Sequence, residues 1–151
     1  VTFVITVDTN VLVYAFDQRE AMKQPLARAI LEIMRERQMP LALQVCGEFY
    51  NVLTRKFDKA PRDAADLAKG LMVSYLLFAN SPATVSRALD LASSGRLSFW
   101  DANLLAAAEA AGCDVLFSED MADGTRVGDL EVVNPFAIDG LSKRARARLA
   151  I

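Results

Sequence analysis

Four acidic residues, Asp8, Glu48, Asp101 and Asp120, occupy places where a folded chain has little reason to keep charge. Asp8 abruptly ends the short, β-branched apolar run Phe3–Val7, and Asp120 follows the run Asp114–Phe117 through Ser118-Glu119. Both therefore stand at carboxyl ends of predicted buried strands, the edge where open α/β sheets bind ligands. Glu48 lies three residues after Val45 and four before Val52, at the border of a helix's apolar stripe. Asp101 is three residues past Ser98, near the start of another helix. Each has an ordinary reading taken alone. Asp8 terminates a strand or caps the next helix, Asp120 is a loop acid, Glu48 reaches Arg55 or solvent, and Ser98-x-x-Asp101 is a capping box with the shorter acid. Jointly they could converge on one crevice, where like charges raise each other's pKa unless a cation intervenes.

The rest of the composition narrows the chemistry. Among 151 residues there is no histidine, which excludes histidine-based triads, HExxH zinc sites and Cys2His2 fingers. The two cysteines, Cys46 and Cys113, sit in apolar stretches without CxxC spacing and read as small core residues in a reducing, cytoplasmic setting. All-oxygen ligation suits Mg2+ or Mn2+ rather than zinc. Trp100 reads as core rather than as a base-stacking platform, and Asp17 as a solvated loop acid.

These side chains need a scaffold, and with 53% apolar and 24% charged residues the composition is that of a globular core, not of disorder or a coiled coil. A chain this long buries roughly 68–70% of its extended surface without a disulfide or zinc staple. The start VTFVITVD lacks the basic region of a secretory signal, and the apolar stretch 71–79 is far short of a membrane span of about 20 residues. A soluble protein is expected.

Helical period runs from Leu26 to Arg37, over 45–57, over roughly 63–79 through Leu67, Leu71, Tyr75 and Phe78, and from Phe99 to Ala111. Ser81-Pro82 starts a further helix, with Ser as N-cap and Pro at the first position, that stops at Ser93-Ser94-Gly95. Strands are expected at 3–7, 41–43, 114–117 and 130–133. With no two-residue hairpin signal recognised, the alternation predicts an α/β fold of three layers, a mainly parallel central sheet of four to five strands with helices on both faces. Net charge is −2, with the last nine residues contributing +4 and residues 1–142 therefore −6.

At this point the chain resembles the PIN domain family, metal-dependent ribonucleases that include the VapC-type toxins of bacterial toxin–antitoxin pairs. The resemblance is carried by VDTNVLVYAFD at 7–17, QVCGEFYNVLTRK at 44–56, LSFWDANLLAAAEAAGCDVLFSEDMADG at 97–124 and LEVVNPF at 130–136. It implies a nuclease domain over 1–139 followed by a basic tail, 140–151. It further implies that Asp8, Glu48, Asp101 and Asp120 hold one or two Mg2+ or Mn2+ ions, supported by Thr9, Asn10 and Ser118. Asp123 competes with Asp120 for its role, and Glu119 is also near.

The implied reaction is hydrolysis of an RNA phosphodiester by a metal-activated water. Of the basic residues Arg19, Lys23, Arg55, Lys56, Arg96 and Arg126, we favour Arg55, Lys56 and Arg96 for phosphate, because they flank the motifs. A small antitoxin protein and a homodimer are the implied partners. Apolar surface on helices 26–37 and 63–79 is available to them, core packing being the simpler reading. Two other classes compete: a non-catalytic RNA- or protein-binding module of the same fold, and a phosphatase or receiver-like domain. The second wants DxD where this chain has Asp8-Thr9-Asn10.

Overall fold

The computed structural model describes residues 2–151. In it, β1 (Ile5–Val7) passes through Asp8 into α1 (Thr9–Phe16), and α2 (Lys23–Glu36) leads to β2 (Pro40–Ala42). Then come α3 (Leu43–Lys56), α4 (Pro61–Ser74), β3 (Leu76–Phe78), α5 (Pro82–Ser93) and α6 (Phe99–Ala110). The chain ends with β4 (Val115–Phe117), β5 (Arg126–Val127), β6 (Leu130–Val133), β7 (Phe136–Ala137), β8 (Gly140–Leu141) and α7 (Lys143–Leu149).

The central sheet has four strands in the order β1-β4-β6-β5, and the first three run parallel. Ile5, Val7, Val115, Leu116, Phe117, Leu130, Val132 and Val133 are all buried. Apart from Thr6 and Glu131, also buried, these strands are apolar on both faces, as a sheet covered on both sides requires, and this bears out the mainly parallel α/β fold. The register sets Val7 opposite Phe117 and Phe117 opposite Val133, so the residues just past β1 and β4 emerge together at one edge.

Several expectations change. The helix over 63–79 stops at Ser74, and Leu76–Phe78 pairs in parallel with β2. An unbroken apolar stretch carries no period that separates the end of a helix from a short strand. The face α4 buries is Ala64 and Ala68, while Leu67 and Val73 stay exposed. Two hairpins also appear where none was expected, joining β5 to β6 across Gly128-Asp129 and β7 to β8 across Ile138-Asp139. Their strands are two residues long at the short arm, too brief for any alternation to show. Gly128 has a φ of +58°, a conformation that glycine adopts without the cost a side chain would bring.

Helix α7, which no periodicity announced, packs Ala145 and Leu149 into the main core. Its basic side chains are partly committed. Arg144 reaches Glu131 and Asp123, both at 2.8 Å, and Arg148 reaches Glu131 at 3.5 Å. Arg126, on the hairpin partner of Glu131, closes from the other side at 2.9 Å. Burial pushes the Glu131 carboxyl up, but Arg144, Arg126 and Arg148 together hold it below its ordinary value.

This clamp has a pH signature. A carboxylate whose folded pKa is depressed below 4.5 contributes stability that is present above that pH and lost as pH falls through the folded value. Glu131→Gln should cost about 1 kcal/mol at pH 7, since it removes a largely buried carboxylate from three partly exposed arginines. Urea unfolding at pH 7 and pH 3.5 checks this: the deficit should shrink at the lower pH.

Candidate active site

The parallel register places the first two members of the site. Asp8 N donates to Phe117 O at 2.9 Å, and the Ser118 hydroxyl donates to Asp8 Oδ2 at 2.8 Å. The other carboxylate oxygen, Oδ1, caps α1 by accepting from Thr9 N at 2.7 Å. One turn of helix therefore starts on the first acid of the site, and that helix N-terminus favours negative charge. Asn10, in the same turn, bridges the two strand ends: its Nδ2 lies 3.3 Å from Asp8 Oδ2 and 3.3 Å from Asp120 Oδ2, while its Oδ1 accepts from Glu119 N.

The remaining acids come from helices. Glu48 projects from the middle of α3, and Asp101 from the first turn of α6, where Ser98 Oγ caps by accepting Asp101 N at 3.2 Å. Asp8, Glu48, Asp101 and Asp120 all line one cavity of about 460 Å³, together with Thr9 and Asn10. Ser118 sits beneath it, fully buried.

The acids feel one another. Burial raises the Asp8 carboxyl from 3.8 to about 6, against the lowering effect of the Ser118 and Thr9 hydrogen bonds, and the charges of Glu48 and Asp101 add to the rise. Burial likewise pushes Glu48 up, with Asp101 contributing, and pushes Asp101 up, with Asp120 contributing. Each is the signature of carboxylates crowded in a partly desolvated site.

Neighbouring acids are otherwise engaged. Asp123 binds Arg144 and accepts from Asn134 N at 2.9 Å; it does not line the cavity, whereas Asp120 does. Glu119 pairs with Lys23 at 2.7 Å and accepts from the Tyr14 hydroxyl. Asp17 is buried rather than solvated, held by Arg19 at 2.9 Å at the end of α1. Glu48 is bonded not to Arg55 but to Gln44, at 3.1 Å. Trp100 is 63% exposed and not core, because it occupies the outward side of the first turn of α6. Sequence reasoning passed over Gln44 and Asn103; the one available signal was an amide inside the Ala/Leu-rich helix after Asp101.

The donor set suits a hard cation. It is entirely oxygen, and the buried Thr9 hydroxyl that lines the cavity has no hydrogen-bond partner among the described residues, although it favours the charged form of Glu48. No three acidic side chains among the described residues close into a ready-made cage. An all-oxygen donor set is of the kind that Mg2+ and Mn2+ prefer over zinc.

The PIN domain family profile matches residues 5–122. Among solved structures, a toxin–antitoxin complex from Klebsiella pneumoniae is similar at 21% identity and a TM-score of 0.63, covering 89% of this chain and 99% of that one. The Mycobacterium tuberculosis VapC20 toxin, which cleaves the sarcin–ricin loop, is similar at 19% identity and a TM-score of 0.58, over 77% and 91%. VapBC2 from Rickettsia felis, solved with a DNA fragment from its promoter, is similar at 14% identity and a TM-score of 0.61, over 85% and 96%. At these identities the likeness is one of fold. No curated protein sequence matches the chain.

Crowded acids destabilise the fold that displays them. An acid whose folded pKa is raised, as Asp8 from 3.8 to about 6, contributes stability below the unfolded value that is lost as pH rises through the folded one. In EDTA, Asp101→Asn should therefore raise stability at pH 8 by up to about 1 kcal/mol, discounted for its partial exposure. Thermal unfolding at pH 8 and pH 5 tests this, the gain being smaller at pH 5.

Proposed function

Because the chain belongs to the PIN domain family, whose members are typically nucleases, we propose that it is a metal-dependent endoribonuclease acting at Asp8, Glu48, Asp101 and Asp120. The observation that carries this is the meeting of these four carboxylates, from two strand ends and two helices, in one cavity whose fifth acid, Asp17, is paired with Arg19. A bound divalent cation would supply charge neutralisation at the phosphate and make water a better nucleophile. Asp8 is the fixed point of the site, since Ser118, Asn10 and Thr9 N leave its carboxylate a single orientation. Glu48 and Asp101 complete the ligand set from α3 and α6, and Asp120, more exposed and held by Asn10, completes it or orients the attacking water. In hydrolysis the water oxygen bonds to phosphorus, the P–O bond to the leaving sugar oxygen breaks, and that oxygen takes up a proton.

A route for the RNA backbone passes the same acids. Asp101 and Asp120 also line a second cavity of about 570 Å³, with Arg96, Ser98, Thr125 and Arg126, while Lys56 and Arg19 line the first. Arg126 and Arg19 are held by Glu131 and Asp17. Lys56 and Arg96 have no carboxylate partner among the described residues, and one lies on either side of the acids; they are the phosphate contacts of this proposal. Arg55 is exposed and lines neither cavity. We further propose that a small antitoxin protein silences the enzyme and that it works as a homodimer; the shared fold of the toxin–antitoxin complexes supports the first. Among the described residues no helix is long and apolar enough to cross a membrane.

RNA cleavage should require Mn2+ or Mg2+, stop with EDTA, and fall at least a hundredfold in Asp8→Asn and Asp101→Asn while circular dichroism is unchanged. Lys56→Gln and Arg96→Gln should weaken RNA binding and flatten its salt dependence while Mn2+ uptake is retained. Undiminished cleavage by both carboxylate variants would refute the assignment.

A further inference from the structure

We infer that Gln44 and Asn103 are positioning residues for the Glu48 carboxylate, two links of a hydrogen-bond relay whose direction is dictated by the site; this rests on Glu48 belonging to a metal centre. Gln44 lies one turn before Glu48 on α3, on the same face. Its Nε2 donates to Glu48 Oε1 at 3.1 Å and to the Trp100 carbonyl at 3.1 Å. An ionised carboxylate and a carbonyl only accept, so both hydrogens of the amide are committed to the site while Asn103 holds Oε1 on the opposite side. The Trp100 carbonyl belongs to the residue before Asp101. Gln44 is thus a strut between one acid of the site and the backbone that carries another.

The consequence runs inward. With its NH2 fixed on the site, Gln44 must present Oε1 to the interior, where Asn103 Nδ2 donates to it at 2.9 Å. Asn103 is 7% exposed, in a helix whose other buried residues are Ala and Leu. A side-chain amide in such surroundings is costly unless satisfied. Asn80, between β3 and α5, satisfies it: the two amides donate to each other at 3.0 and 3.1 Å. Asn80 Nδ2 also reaches Thr84 Oγ1 at 3.0 Å, the hydroxyl that closes the capping box of α5 by accepting Ser81 N. Anchored in this cap, the relay ends as an N–H on Glu48. An aliphatic side chain at 103 would fill the helix face without needing partners, but it would leave Gln44 Oε1 free to swing toward Glu48 and repel it.

Calorimetric Mn2+ titration of the full chain tests this with wild type, Glu48→Gln, Gln44→Met, Asn103→Leu and the double variant Gln44→Met/Asn103→Leu. Loss of a group that orients a ligand typically costs 10–100-fold in metal affinity. Gln44→Met should weaken Mn2+ binding about tenfold and Asn103→Leu several-fold, and the double variant should be no weaker than Gln44→Met, because Asn103 acts through Gln44. Cleavage at saturating Mn2+ should show reduced kcat with KM for RNA unchanged. Wild-type Mn2+ affinity in both single variants, with only a lower unfolding temperature, would overturn the relay while leaving the metal centre standing; so would additive losses. If wild type takes up no Mn2+, or Glu48→Gln binds it unchanged, the assignment of Glu48 fails and the relay fails with it.

Discussion

Carboxylates drawn together at the edge of a desolvated cleft repel one another, and most of the polar structure around this cleft answers that repulsion. Burial and mutual charge raise Asp8, Glu48 and Asp101 together. Left to themselves, such side chains would protonate or turn outward. Donors prevent this: Ser118, Thr9 N and Asn10 on Asp8, Gln44 on Glu48, and Asn10 again on Asp120. In the function proposed above, donors that orient the acids are what would distinguish a cation site from a merely acidic patch.

The sheet supplies the precision. Adjacent parallel strands that end in register deliver Asp8 and Ser118 within one hydrogen bond of each other, and that fixity comes from buried β1 and β4 rather than from a loop. The helical acids depend on longer supports. Glu48 is tied through Gln44 to the backbone of α6 and onward to the cap of α5, so α3, α5 and α6 share in its placement.

The sequence exposed the features that rest on burial and on local caps. β1 and β4 stood out as short β-branched or apolar runs ending in acid, and Ser81 and Ser98 cap the helices they announced. Features that depend on distant partners did not stand out. β3 is a strand only because β2 lies beside it, and two-residue strands are defined by their hairpin mates. α7 holds by Ala145 and Leu149, too few residues for a period. The four acids were legible only as a set, since each has an ordinary reading alone and the resemblance to the PIN domain joined them. Gln44 was not legible, since a glutamine near a helix start violates no expectation.

The tail that gives the sequence its charge asymmetry is not an asymmetry in space. Arg144 and Arg148 fold back onto Glu131 and Asp123, so half of the terminal positive charge is neutralised within a few ångströms of its origin. A molecule built this way offers a polyanion little long-range attraction and, with its net negative charge, some repulsion. For the RNA substrate proposed above, encounter would then depend on short-range capture at the cleft rather than on electrostatic steering from a distance.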